Sequence, residues 1–110
     1  MKFYQKPTCT SCRKAKSFLR EKGAEFEEVD LNKGLSEAEI GRLIGDRDYK
    51  LFLNPRNELY REKKMKQSPP PRGEAIKLMS RYPNLIRRPI LAKGSEIVLG
   101  WDPEAIAKLL

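Results

Sequence analysis

Apolar residues recur along this chain in two rhythms, and the points where the rhythm changes mark its elements. Lys2 to Gln5, with Phe3 and Tyr4, reads as a short strand. From about Ser11 to Lys22 the period becomes helical, with Cys12, Ala15, Phe18 and Leu19 on one side, and Gly23 is placed to end that helix in the left-handed conformation. Glu25 to Leu31 reads as a second strand carrying Phe26, Val29 and Leu31. A helix then begins near Ser36. Ser36 and Glu39 fit a capping box, Leu35 and Ile40 the hydrophobic staple around it, and Ile40, Leu43 and Ile44 a core-facing stripe that stops at Gly45. The pattern is mixed from Asp46 to Tyr60, with a short helix or turn at Asp48 to Leu53. Ser68-Pro69-Pro70-Pro71 interrupts regular structure. Glu74 to Tyr82 predicts a helix with Ala75, Ile76, Met79 and Tyr82 on one side, and Pro83 stops it. Ile90 to Ala92 and Glu96 to Leu99 predict a hairpin about Gly94-Ser95, and Asp102 with Pro103 opens a last helix. Trp101 and Ile106 fit a second staple, leaving Ala105, Ile106, Leu109 and Leu110 to be buried.

The order is β-α-β, a helical insertion at about residues 34–83, then β-β-α. An α/β fold in a single domain follows, and with the insertion set aside it has a thioredoxin-like layout. A chain of 110 residues buries one modest core and not two. No internal repeat is visible.

Composition narrows the class without choosing a function. Charged residues make up 35% of the chain and hydrophobic residues 39%, as in a soluble globular protein, and no apolar run approaches the ~20 residues of a membrane span. The N-terminus carries no apolar leader-like stretch, so a cytoplasmic location is expected, where thiols stay reduced. The formal charge of +8 favours anionic partners of any kind: oxyanions, glutathione, acidic protein surfaces or nucleic acid. The basic run Arg61-Glu62-Lys63-Lys64-Met65-Lys66 reads as a solvated face. Direct nucleic-acid binding is not expected from it, because no aromatic residues interleave the charges.

The chemistry concentrates in Lys6-Pro7-Thr8-Cys9-Thr10-Ser11-Cys12-Arg13-Lys14, which holds both cysteines of the chain. A strand before and a helix after place Cys9 at or near a helix N-terminus, where unpaired N–H groups and the helix dipole stabilise a thiolate. Arg13 and Lys14 add positive charge nearby. Cys12, one turn on, is positioned to attack a mixed disulfide on Cys9 and release the partner. Three other readings fit two cysteines so spaced: half of a zinc site, a structural disulfide, or inert thiols. With no histidine in the chain a complete metal site would need carboxylates, so no metal is expected, and so short a loop restrains little of the unfolded chain.

Three segments in order resemble the family of the arsenate reductases (ArsC) and the redox-sensing regulator Spx. They are Cys9-Thr10-Ser11-Cys12-Arg13-Lys14-Ala15, Asn54-Pro55-Arg56-Asn57 with Leu59-Tyr60-Arg61, and Leu85-Ile86-Arg87-Arg88-Pro89-Ile90; the ending from Gly100-Trp101 to Leu109 is also Spx-like. The resemblance implies a thiol–disulfide oxidoreductase with Cys9 as nucleophile and Cys12 as resolving thiol. It implies that Arg56 and Arg88, with Arg13 near the cysteine loop, hold an anion, and that Pro89 is a cis-proline facing a partner chain. It further implies no bound cofactor, with electrons supplied by glutathione, glutaredoxin or thioredoxin, and a monomer. Two alternatives come with it: a redox-switched regulator that binds the RNA polymerase alpha subunit, and a glutathione/glutaredoxin-dependent arsenate reductase. Where arsenate reductases carry a third anion-binding arginine, this chain reads Ile97-Val98-Leu99-Gly100. The glycine that Spx presents to the polymerase falls, ungapped, on Asp48.

Overall fold

The computed structural model describes residues 1–110 and resolves the chain into two compact units, Met1–Leu31 with Arg88–Leu110, and Asn32–Arg87. The hydrophobic pattern placed the insertion at about residues 34–83.

The first unit is built on a four-stranded mixed sheet of β1 (Lys2–Gln5), β2 (Glu27–Asp30), β3 (Ile90–Lys93) and β4 (Glu96–Leu99), in the order β2-β1-β3-β4. β1 runs parallel to β2, which requires a crossover, and helix α1 (Thr10–Glu21) supplies it. β1 pairs antiparallel with β3, Phe3 opposite Leu91, and β3 with β4. Gly94 opens the two-residue hairpin between them at φ +59, a conformation a side chain would strain. Phe3, Leu91, Ala15 and Leu19 from α1, and Ile106 and Leu109 from the last helix, α5 (Pro103–Leu109), form one buried cluster, so both helices cover the same face of the sheet. Asp102 Oδ1 accepts the Ala105 N–H and caps α5, with Pro103 in the first turn. Trp101 lies edge-on to Phe18 at 5.8 Å. α1 ends as expected, with Gly23 at φ +67 and its N–H donated to the Arg20 carbonyl.

β2 is shorter than the pattern implied. Phe26 stops before it and packs edge-on against Phe3 at 5.5 Å, while Leu31 is buried in a 3-10 turn after it. As an edge strand it faces water over Glu27 and Glu28, and Lys16 on α1 pairs with Glu28 at 2.6 Å. Leu110, expected inside, is 40% exposed, since α5 ends before it and offers no surface to cover it.

The second unit is helical: α2 (Glu37–Ile44), α3 (Glu58–Glu62) and α4 (Arg72–Arg81), with 3-10 turns at Tyr49–Phe52 and Pro83–Leu85. The capping box forms as read. Ser36 Oγ accepts the Glu39 N–H at 3.1 Å, and Glu39 Oε1 accepts the Ser36 N–H at 3.3 Å. α2 packs on α4 through Ile40, Ile44, Ile76 and Met79, and Ser80 donates its hydroxyl to the Leu35 carbonyl at 2.7 Å. Asp48 accepts the Lys50 N–H and starts the turn the sequence left open between helix and turn. α3 was not anticipated; Asn57 caps it by accepting the Leu59 N–H at 2.9 Å. Tyr82, assigned to the buried side of α4, is 45% exposed because the helix ends at Arg81 and the backbone turns away there.

Candidate active site

Backbone pairing of β1 and β3 brings the cysteine loop to Arg88. With Tyr4 opposite Ile90, the residues that leave β1 and those that lead into β3 lie at the same end of the sheet. The chain leaving β1 turns through Lys6-Pro7-Thr8, closed by the Cys9 N–H on the Lys6 carbonyl at 3.0 Å, and Cys9 becomes the N-cap of α1. Approaching β3, the Arg88–Pro89 peptide is cis and Pro89 accepts the Gly100 N–H at 2.8 Å. The Pro89 side chain is fully buried, and the Pro89 carbonyl is taken by the Gly100 N–H.

The two cysteines differ in exposure because of their places on the helix. Cys12 shares the inward stripe of Ala15 and Leu19 and is 1% exposed, whereas the N-cap residue Cys9 remains partly accessible. Both are free thiols whose side chains hydrogen-bond to each other. Partial burial pushes the Cys9 thiol up, but four interactions outweigh it and hold it below the ordinary thiol value. These are the Cys12 thiol, the Cys12 N–H in the first turn of the helix, the Arg88 charge, and an Arg88 hydrogen bond. The contact of the Cys9 sulfur with the Cys12 N–H falls outside regular N-cap geometry, so that N–H acts on it chiefly as an oriented dipole at the helix start. Cys12 goes the other way. Burial pushes it up to about 12; the Lys6 N–H opposes this, the negative charge on Cys9 adds to it, and Arg88 offsets a part.

This is the chemistry of an unequal dithiol: an accessible sulfur that ionises readily beside a hidden one that keeps its proton. The cation responsible is Arg88. Arg13, expected nearby in that role, donates its Nε to the Pro7 carbonyl at 3.1 Å and braces the loop. Arg56 belongs to the other unit, exposed on a turn where its own N–H donates to Asn54 Oδ1. Asn54 also donates its Nδ2 to the Asn84 carbonyl, so the asparagines of Asn54-Pro55-Arg56-Asn57 shape backbone. The sequence reading missed the Lys6 N–H at Cys12, which no side-chain pattern could signal. Nowhere do three or more Cys, Asp or Glu side chains gather in metal-binding proximity, and no helix is long and apolar enough to cross a membrane.

The sequence profile of the ArsC family matches residues 4–109. The regulatory protein MgsR of Bacillus subtilis is 30% identical over 97% of this chain and 87% of its own length. The global transcriptional regulator Spx of the same organism is 26% identical over 97% and 84%. The structure of an arsenate reductase from Vibrio cholerae superposes with a TM-score of 0.86 at 25% identity, covering 100% of this chain and 98% of that one. The fold is thus the thioredoxin-like α/β fold of these proteins.

Proposed function

We propose, since the chain belongs to the ArsC family, that it is a thiol–disulfide oxidoreductase with Cys9 as nucleophile and Cys12 as resolving thiol. The observation that carries this reading is the Cys9–Cys12 pair of free thiols itself, hydrogen-bonded side chain to side chain, with only the first accessible and only the first lowered toward ionisation.

The Cys9 thiolate attacks one sulfur of a substrate disulfide. The other sulfur leaves as a thiolate and takes a proton from water, and Cys9 is left in a mixed disulfide. Bonding removes the negative charge that had held the proton on Cys12. The buried thiol then gives up its proton to solvent, its thiolate supported by the Lys6 N–H and Arg88, and attacks the Cys9 sulfur. The second substrate thiolate departs, a Cys9–Cys12 disulfide remains, and two electrons have passed from the chain to the substrate. Glutathione, or a glutaredoxin- or thioredoxin-type protein, restores the dithiol. Arg88 supports the thiolate at each stage and supplies positive charge for an anionic substrate.

The test is turnover of a mixed glutathione disulfide by wild type, Cys9→Ser and Cys12→Ser. Loss of turnover with Cys9→Ser, and arrest of Cys12→Ser as a covalent adduct on Cys9, is expected; turnover surviving Cys9→Ser refutes the assignment. Similarity to the regulators MgsR and Spx favours a second reading, in which the same disulfide switches binding to the RNA polymerase alpha subunit. Asp48, engaged as a turn cap in place of the Spx glycine, weighs against it. Capture of the alpha C-terminal domain by oxidised protein, but not by Cys12→Ser, would decide for the regulator. Arsenate-dependent oxidation of glutathione tests arsenate reduction, which the arginine-free stretch Ile97-Val98-Leu99-Gly100 disfavours.

A further inference from the structure

Thiol exchange makes no use of the C-terminal end of α3. That end is a Schellman turn: the Lys64 N–H donates to the Arg61 carbonyl at 3.1 Å, the Met65 N–H to the Tyr60 carbonyl at 3.0 Å, and the Met65 side chain is buried beneath it. The residue that must go left-handed in such a turn is ordinarily glycine. Here it is Lys64, at φ +50, the one non-glycine residue of the chain with positive φ. A lysine there strains the backbone where glycine would not, and strain of this kind gathers at functional positions.

The strained lysine lines a cleft of about 550 Å³ with Pro55, Tyr60, Arg61, Lys66 and Gln67. Three cations face this space and no carboxylate does. The carboxylates of α3, Glu58 and Glu62, line a separate cleft beside Arg81 and Tyr82, and the Lys16–Glu28 and Lys50–Asp48 ion pairs involve none of the three cations. Cations held together without counter-charges repel one another, and a multivalent anion relieves that repulsion. The volume suits a small ligand, and convergence on one cleft suits a compact anion better than an extended strand. Tyr60 contributes a half-buried aromatic wall, which a purely inorganic anion would leave unused.

We infer that this cleft binds a nucleoside polyphosphate, its phosphates on Arg61, Lys64 and Lys66 and its base against Tyr60. Lys64→Gly is the discriminating variant, because it removes one cation while suiting the turn better than the native residue. Calorimetric titration of the full chain with ATP, tripolyphosphate, adenosine and a mixed-sequence single-stranded oligonucleotide should show binding of ATP. Lys64→Gly should weaken it about tenfold, as loss of one charge-assisted phosphate contact would, with a melting temperature no lower than wild type. Tyr60→Leu should weaken ATP several-fold and leave tripolyphosphate unchanged. Absence of ATP binding, or equal ATP affinity in Lys64→Gly, overturns the site. Tripolyphosphate binding as tightly as ATP overturns the nucleoside assignment, and an oligonucleotide binding more tightly than ATP overturns it in favour of a nucleic-acid surface.

Discussion

Replacing Arg88 by methionine should raise the pH at which Cys9 becomes reactive. The guanidinium contacts the sulfur as a charge and as a hydrogen-bond donor, and both effects favour the thiolate over the thiol. A hydrogen bond to a charged group contributes about 1.5–3 kcal/mol. Cys9 is only partly buried, so solvent screening reduces the usable part to about 1 kcal/mol. At ~1.4 kcal/mol per factor of ten, the thiolate fraction at neutral pH falls about fivefold. A more basic thiolate is intrinsically more nucleophilic, so the alkylation rate itself falls only about two- to threefold, while the midpoint of its pH profile moves by the full amount. The assay is iodoacetamide alkylation of reduced protein across pH, followed by mass spectrometry of the Cys9 peptide. Arg88→Lys keeps a charge and should recover part of the effect. Arg13→Met should leave the midpoint in place, since that guanidinium is engaged with the Pro7 carbonyl. A profile for Arg88→Met that superimposes on wild type, or an equal displacement from Arg13→Met, would refute the assignment of the activating cation.

Thiolate absorbance on alkaline titration should show one sulfur ionising below the ordinary thiol range and the second only near about 12. Stability follows with opposite signs. The native state keeps the Cys12 proton that an unfolded thiol releases near ~8.5, so this contribution is whole below that pH and is lost as pH rises toward about 12. The Cys9 contribution is present above ~8.5 and is lost as pH falls through its lowered folded value; denaturant midpoints of wild type minus Cys12→Ala, taken across alkaline pH, should fall steadily. Lys64→Gly should stabilise the protein by about 1 kcal/mol, an upward shift of roughly 4 °C in thermal unfolding, by relieving the left-handed lysine. Ser36→Ala should cost about 1 kcal/mol by opening the capping box, and an unchanged melting temperature would show the box to be without effect.

Elements encoded over a few neighbouring residues were legible in the sequence. The Ser36–Glu39 box, the Asp102-Pro103 helix start, the Gly23 stop and the Gly94-Ser95 hairpin each rest on contacts within about one turn, where residue identity nearly dictates geometry. Helix α3 was not legible, because five residues carry no apolar period; Asn57 in front and a lysine doing a glycine's work behind define it. Periodicity named a buried side for Tyr82 and Leu110, but a side is buried only where another element lies over it, and for these two none does.

The strand–turn–helix around Cys9 and Cys12, and the inward stripe that hides the second sulfur, follow from the order of residues alone, because helical spacing ties Cys12 to Ala15 and Leu19. Which cation reaches Cys9 does not. Arg13 is near in sequence and Arg88 lies at the other end of the chain, yet Arg88 acts on the sulfur. The antiparallel register of β1 and β3 sets its position, and that register is fixed by burying Phe3 against Leu91. Charge acts through space, and space between distant segments is set only when the core closes.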